Sequence, residues 1–320
     1  MRETGAAPEA GGSVADAPRG NWVDTRAPVW ARPWLRLSRA DRPIGTWLLL
    51  LPCWWGVALA ARASGPAPVD LWVAVACAGG AWLMRGAGCT WNDITDRHID
   101  AAVARTRSRP IPSGQVGVRG AIAWMVAQAL VAFAILLSFA PLAIWLGVAS
   151  LALVAIYPFA KRFTWWPQLF LGLAFNWGAI LAHAAHDGTL GVAPVLLYGA
   201  GIAWTLFYDT IYAHQDAEDD ALIGVRSTAR LFGEESPRWL RRFLVATVCL
   251  TGLAAALAGL DANVLALVVA LGGAWAMGWH MTWQLTAFDP GDGARLLAIF
   301  RSNRDAGLIL ALFFAVAAML

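Results

Sequence analysis

The sequence predicts an all-α fold: an integral membrane bundle of about nine transmembrane helices. Three observations predict it. Hydrophobic residues make up 59% of the 320 and charged residues only 14%, too few charges to clothe a water-soluble domain of this size. The apolar residues gather in long blocks instead of amphipathic stripes, and several blocks reach the roughly 20 residues that a bilayer requires. Lipid offers no partner to an open backbone amide, so each such block must be a helix. The formal net charge is only +3, which makes nucleic acid a poor candidate partner.

Residues 1–31 differ from the rest. They are rich in Gly, Ala and Pro with scattered charge, and they lack an apolar h-region. They read as a disordered cytoplasmic tail and not as a signal peptide, leaving 32–320 as the membrane domain. Spans are expected near 44–62, 70–90, 121–138, 142–160, 168–185, 192–212, 243–260, 262–284 and 306–320. The last is short and calls for tilt or local thinning of the bilayer.

With the N-terminus inside, the inner segments hold Arg32, Arg36, Arg39 and Arg42, then Arg97, Arg105, Arg107, Arg109 and Arg119. Lys161, Arg162, Arg226, Arg230, Arg238, Arg241, Arg242, Arg295, Arg301 and Arg304 also fall inside. The outer connections hold Arg62 alone, at a span edge, while Arg85 lies near the inner end of the second span. This positive-inside pattern puts the polar chemistry on the cytoplasmic face. A bacterial-type inner membrane is the expected location. The four cysteines (Cys53, Cys77, Cys89, Cys249) have neither disulfide nor metal-ligand spacing and read as small apolar residues.

Two acidic stretches stand out on that face. The first runs from Cys89 to Asp100; Asn92, Asp96 and Asp100 are spaced i, i+4, i+8 and share one helical face. Asp93, Asp96 and Asp100 are spaced i, i+3, i+7, so register leaves Asp93 open as a member of the same face. The second runs from Tyr208 to Asp220, with Asp209, Asp216 and Asp220 expected on one face. Together the stretches hold 8 of the 21 acidic residues, a concentration beyond scatter. Like charges at this spacing repel, so a cation should sit among them. All-oxygen ligands on rigid helices suit Mg²⁺, which prefers to bridge carboxylates to substrate phosphate oxygens. The plainer alternative is a solvated acidic loop beside the membrane.

Basic residues lie near both stretches. Arg105, Arg107 and Arg109 follow the first, which ends in Arg109-Pro-Ile-Pro-Ser-Gly114 with two shape-restricting prolines. Lys161 is the one lysine among 24 basic residues, which suggests a point-charge role, and it lies one turn beyond Tyr157. His183 and His186, beside Asp187 at an outer loop, and His280 within a span read as structural. The 19 tryptophans read mainly as interface anchors and packing.

Taken together, Asn92-Asp93-x-x-Asp96-x-x-x-Asp100 followed by Arg109-Pro-x-Pro-Ser-Gly114 resembles the first signature of the UbiA-type membrane prenyltransferases. Tyr208-Asp-Thr-x-Tyr-Ala-x-x-Asp216-x-x-Asp-Asp220 resembles that family's 4-hydroxybenzoate polyprenyltransferase branch. So do the continuation Ile223-Gly-Val-Arg-Ser-Thr-Ala-Arg-Leu-Phe-Gly233 and the entry Arg39-Ala-Asp-Arg-Pro-Ile-Gly-Thr-Trp-Leu-Leu-Leu-Leu-Pro52. The likeness covers nearly the whole chain from about residue 32.

The resemblance implies transfer of a polyprenyl group from polyprenyl diphosphate to the ring carbon ortho to the hydroxyl of 4-hydroxybenzoate, within the lipid bilayer. It implies that Asn92, Asp96 and Asp100 hold one Mg²⁺ and Asp216 and Asp220 a second. Arg105, Arg109, Tyr157 and Lys161 would cradle the diphosphate, and Arg162 would meet the benzoate carboxylate. Asp209 would orient the phenol or accept its proton. Competing expectations are another aromatic acceptor and, from a different class, a cation-coupled transporter. A transporter would need a mid-span carboxylate to continue an ion path, and the spans hold none.

Overall fold

A computed structural model describes residues 14, 17, 18, 20–103, 106–222, 224–259 and 263–320, without the side chains of 218–220. Among the described residues every regular element is a helix. Ten helices have ten residues or more: α1 Ile44–Ser64, α2 Pro68–Ala102, α3 Val118–Leu136, α4 Pro141–Ile156 and α5 Pro167–Asn176. They continue as α6 Gly178–Asp187, α7 Val192–Ala213, α8 Ser236–Leu257, α9 Val264–Thr286 and α10 Gly293–Met319.

Eight helical segments among the described residues are long and apolar enough to cross a membrane. The ninth expected span lies in α2, where 35 residues carry an apolar run straight into the first acidic motif. At 1.5 Å per residue α2 is about 50 Å long against a hydrocarbon core of about 30 Å, so its acidic end stands clear of the lipid. The last span departs from expectation. It is not a short 306–320 segment: α10 begins at Gly293 and runs 27 residues. Arg301 and Arg304 broke the hydropathy signal there, yet both are exposed, while Asn303 and Ala306 on the same helix are buried.

Local chemistry sets many of the helix ends. Pro141, Pro167 and Pro237 sit in first turns, where a missing N–H costs nothing. The Asn263 and Asp292 side chains accept from Leu265 N and Arg295 N at 2.9 and 3.0 Å. Gly188, at φ +77°, closes α6 in the left-handed conformation.

The chain divides into two compact units. One comprises the residues up to Thr46 together with Gly79–Ile135; the other comprises Trp47–Ala78 and Leu136–Leu320. In the first, Leu37, Ile94, Val116 and Ala121 form a core flanked by Trp34, Ile111 and Trp124. Ser38 donates to Gln128 Oε1 at 3.0 Å and accepts from Trp124 Nε1 at 2.9 Å. Residues 20–31, placed in the tail by composition, carry a helix at Trp22–Thr25 whose Val23 is buried with Ala27 and Ala40. The Trp22 indole donates to the Ala40 carbonyl, and Asp24 pairs with Arg36 at 2.7 Å. Residues 1–13, 15, 16 and 19 of the expected tail lie outside the described residues.

In the second unit α7 packs against α5, α8 and α10, α8 against α9, and α9 against α10. Small residues let these backbones approach. A Cβ on Gly56 would collide with the carbonyl oxygen of Ala179, and one on Gly307 would run into Leu51. The Trp55 indole donates to the Gly307 carbonyl at 2.8 Å. Arg62, the one outer-side exception to the arginine pattern, donates through Nη1 to Ala255 O in the last turn of α8, so it caps a helix C-terminus. His186 also has a structural partner set: Nδ1 meets Asp70 Oδ1 at 2.5 Å and Nε2 meets Ser64 Oγ at 2.7 Å, tying α6 to α1 and α2.

Candidate active site

The first acidic motif lies on the last three turns of α2. Asp93, Asp96 and Asp100 are buried and Asn92 is half-buried. Carboxylates there are costly unless paired, and two arginines pair with Asp93 and Asp100. Arg109 Nη1 donates to Asp100 Oδ2 at 2.9 Å and Oδ1 at 3.1 Å, and lies 3.5 Å from Asp93 Oδ1. Arg39 Nη2 meets the same Asp93 oxygen at 2.6 Å.

The loop that delivers Arg109 is fixed by its own sequence. Thr106 Oγ1 donates to the Asp100 carbonyl, and Ser113 Oγ donates to the Arg109 carbonyl at 2.7 Å. Gly114 turns at φ +78°. Burial pushes the Asp100 carboxyl above the usual carboxylate range, with the neighbouring Arg109 guanidinium partly offsetting it. Arg105 lies outside the described residues.

The second motif begins in the last turns of α7. Tyr208 is fully buried; its hydroxyl accepts from Thr205 Oγ1 at 3.1 Å and its ring packs on Trp204 and Phe300. Asp209 and Asp216 are both half-buried. Between them the helix changes form: His214–Asp216 is a 3₁₀ turn, followed by a six-residue helix from Ala217 to Leu222. An α-helical register therefore does not run unbroken from Asp209 to Asp220, contrary to the single face expected from spacing. The side chain of Asp220 is outside those described.

Tyr157 opens a 3₁₀ turn, Tyr157–Phe159, that leads into the short helix holding Lys161 and Arg162. Tyr157 and Lys161 are half-buried, while Arg162 is exposed and stacks over the Phe159 ring at 5.1 Å. The loop after the second motif docks on this segment. Arg226 N donates to Lys161 O at 3.3 Å, Arg226 Nη1 donates to Phe163 O at 2.9 Å, and Thr228 N donates to Gln168 Oε1 at 3.1 Å. The structure thus joins the Tyr157–Arg162 segment to the strongly patterned stretch that follows the second motif.

A hard divalent cation can be tested against these donors. Among the described residues no three carboxylate, imidazole or thiolate groups converge as a closed cage. The first motif instead offers oxygens only, from an amide and two buried carboxylates, and Asp93 Oδ2 is buried without a hydrogen-bond partner. That donor set fits a cation of the Mg²⁺ kind, which keeps waters and takes one or two carboxylates together with substrate phosphates.

A family model for the UbiA prenyltransferase family matches residues 49–304. The chain belongs to the UbiA prenyltransferase family. This UbiA member is 49% identical over 239 residues to the mitochondrial 4-hydroxybenzoate polyprenyltransferase of Mus musculus, an alignment covering 74% of this chain and 63% of that protein. The protein of the same name from Drosophila melanogaster is 46% identical over 281 residues, 88% of this chain and 70% of its own. The UbiA member thus spans somewhat under two thirds of the mouse protein's length.

Among solved structures, an apo UbiA homologue from Aeropyrum pernix K1 superposes with a TM-score of 0.68 at 26% identity, over 86% of this chain and 98% of that one. A UbiA homologue from Archaeoglobus fulgidus bound to GPP and Mg²⁺ gives 0.65 at 20% identity, over 89% and 98%. The resemblance read from the motifs is thereby established at the level of the family. What spacing missed in this UbiA member is Arg39. Its place in the sequence marks it only as one of the inner-side arginines and part of the entry motif, whereas the structure pairs it with Asp93.

Proposed function

We propose that this chain transfers a polyprenyl group from polyprenyl diphosphate to the ring carbon ortho to the hydroxyl of 4-hydroxybenzoate, as in ubiquinone biosynthesis. The observation that carries the reaction class is the first motif: buried, oxygen-only donors held against an arginine at the end of a helix that outruns the bilayer. The choice of acceptor is supported by relatives of that name at 49% and 46% identity.

In this reading Asn92, Asp96 and Asp100 hold one Mg²⁺, and Asp216 and Asp220 hold another. Bound Mg²⁺ supplies neutralisation of the charge that grows on the diphosphate as it leaves. Arg105, Arg109, Tyr157 and Lys161 bind the diphosphate oxygens and fix the direction in which it departs. The allylic C1–O bond breaks with its electron pair on the diphosphate. The ring carbon ortho to the hydroxyl then forms the new C–C bond, and that carbon loses its proton. Arg162 pairs with the benzoate carboxylate, and Asp209 orients the phenol hydroxyl or accepts its proton.

The protein is integral to a membrane, and its chemistry belongs on the arginine-rich face. The arginine pattern distinguishes the two faces but not bacterial from organellar membranes. The relatives carry a mitochondrial designation, and nothing in the charge pattern favours a bacterial-type cytoplasmic membrane over an organellar one.

The test is prenyl transfer in isolated membranes, with labelled 4-hydroxybenzoate, a long-chain prenyl diphosphate, and Mg²⁺ with or without EDTA. Mg²⁺-dependent appearance of lipid-extractable label is the expected result. Product with a different aromatic only would keep the mechanism and replace the acceptor. Silence with every acceptor would overturn the reading.

A further inference from the structure

Four charged side chains around the first motif form one connected chain. Arg39 holds Asp93 Oδ1 at 2.6 Å; Arg109 lies 3.5 Å from that oxygen; and Arg109 grips both oxygens of Asp100 at 2.9 and 3.1 Å. Arg39, Asp93 and Asp100 are buried, Arg109 nearly so, and the four charges sum to zero. The two carboxylates have different duties in this arrangement. Asp93 Oδ1 is shared between two guanidiniums, whereas the partner of Asp100 is the arginine that the proposed reaction assigns to the diphosphate.

Arg109 cannot serve Asp100 with the same donor while it serves a diphosphate, and Asp100 cannot offer both oxygens to a cation while Arg109 holds them. Stripping either group of its partner without replacement would leave a bare charge in a desolvated place. An exchange of partners avoids that cost.

Resting on the metal and diphosphate roles given above, we propose that Arg109 is a built-in counter-cation for Asp100, which it releases to a divalent cation as it turns to the diphosphate. Asp93, fixed by Arg39, is the positioning residue from which Arg109 swings. Arg39 itself shows how firmly that post is set. It has φ +54°, the one non-glycine residue with positive φ among those described. It closes the turn after Arg32–Leu37, with Ala40 N donating to Leu35 O, at a position where glycine would be unstrained. The backbone strain is tolerated because the side chain, which also donates to Arg36 O, is needed at Asp93.

Removing Arg109, the charged partner of Asp100, should therefore improve metal binding. The experiment uses the full chain in nanodiscs, reading Mn²⁺ alone by electron paramagnetic resonance and geranyl diphosphate with Mg²⁺ by calorimetry. Arg109→Ala should bind Mn²⁺ alone about tenfold more tightly, the equivalent of one charge-assisted hydrogen bond no longer displaced. It should bind geranyl diphosphate about tenfold more weakly by the same arithmetic. Arg97→Ala controls for general electrostatics, because Arg97 lies beside the same motif but donates to the Ile94 carbonyl. It should leave Mn²⁺ affinity within about twofold of wild type, since no carboxylate partner is removed.

Equal gains in the Arg97 and Arg109 variants, or no gain in Arg109→Ala, would overturn the exchange. Asp93→Asn should hold Mn²⁺ affinity and weaken geranyl diphosphate; a large loss of Mn²⁺ would make Asp93 a ligand and overturn its assignment as a post. If Arg109→Ala fails to fold, Arg109→Gln carries the same reading, and failure of both would make Arg109 structural and overturn the proposal. Should wild type bind neither Mn²⁺ nor geranyl diphosphate, the metal and diphosphate roles on which this rests fall first. Wild-type binding without the Arg109 gain would remove this inference alone.

Discussion

Replacing Arg39 with glycine sets two opposing effects against each other at one residue. At φ +54° a non-glycine residue is strained by about 1–2 kcal/mol, and glycine relieves that strain. The same change leaves Asp93, fully buried, without the guanidinium that meets it at 2.6 Å. Removing one partner of a buried ion pair costs about 3–5 kcal/mol. The remaining contact of Asp93 with Arg109, at 3.5 Å, moves the loss towards the lower end of that range. Arg39→Gly should therefore destabilise by about 2 kcal/mol net. The assay is reversible unfolding in mixed dodecylmaltoside–SDS micelles. A double variant, Arg39→Gly with Asp93→Asn, removes the stranded charge and should recover more than half of the loss. Stability of Arg39→Gly at or above wild type would show that strain outweighs the ion pair. A double variant no more stable than the single would show that Asp93 was never stranded. Either result refutes the reasoning.

Asp96→Ala and Asp216→Ala should each abolish prenyl transfer in membranes while leaving a chain that inserts and melts like wild type; near-normal turnover in either would sink its role at the metal. Arg162→Ala should raise the apparent KM for the aromatic acid more than for the prenyl diphosphate, and an unchanged aromatic KM would assign the carboxylate to another cation. Gly56→Ala should cost about 1–3 kcal/mol in the same unfolding assay, because its Cβ meets the backbone carbonyl of Ala179, which cannot swing aside. Gly80→Ala, where nothing lies within 4 Å of the new atom, should instead stabilise α2 by about 0.5–1 kcal/mol through helix propensity.

The bundle was legible because lipid permits few alternatives: an apolar block of sufficient length has to be a helix, and arginine marks its inner end. Legibility failed where the hydropathy signal was interrupted by residues that share a helix but not a face. Arg301 and Arg304 hid the first half of α10, although Asn303 between them is buried and accepts from the Trp204 indole at 2.9 Å. The second motif failed differently. Spacing assumes one helical form throughout, and nothing in the composition of Tyr208–Asp220 announces the 3₁₀ turn at His214–Asp216. In the first motif register allowed both Asn92 and Asp93 to join Asp96 and Asp100. The structure separates them by partnership instead of periodicity, since Asp93 belongs to Arg39, more than fifty residues earlier in the chain. A contact between distant segments leaves no trace in the periodicity of either one.

The same partnership constrains how any anionic substrate enters. A carboxylate cluster at the edge of a bilayer has to be neutral before its ligands arrive, because bare charge in that position costs more than a marginally stable fold can bear. Arg39 with Asp93 and Arg109 with Asp100 meet that demand from within the chain for two of the cluster's three buried carboxylates. Binding is then an exchange between matched pairs, and its net strength is a difference between large terms. The guanidinium's planar fork suits such an exchange better than an ammonium would, since it grips a carboxylate or a phosphate through the same donors. That accounts for arginine, and not the chain's one lysine, at the position touching both carboxylates. It also requires Arg109→Lys to be a poor substitute despite its retained charge, as a point cation can neutralise Asp100 through one nitrogen, as Nη1 does, but offers a phosphate no planar fork.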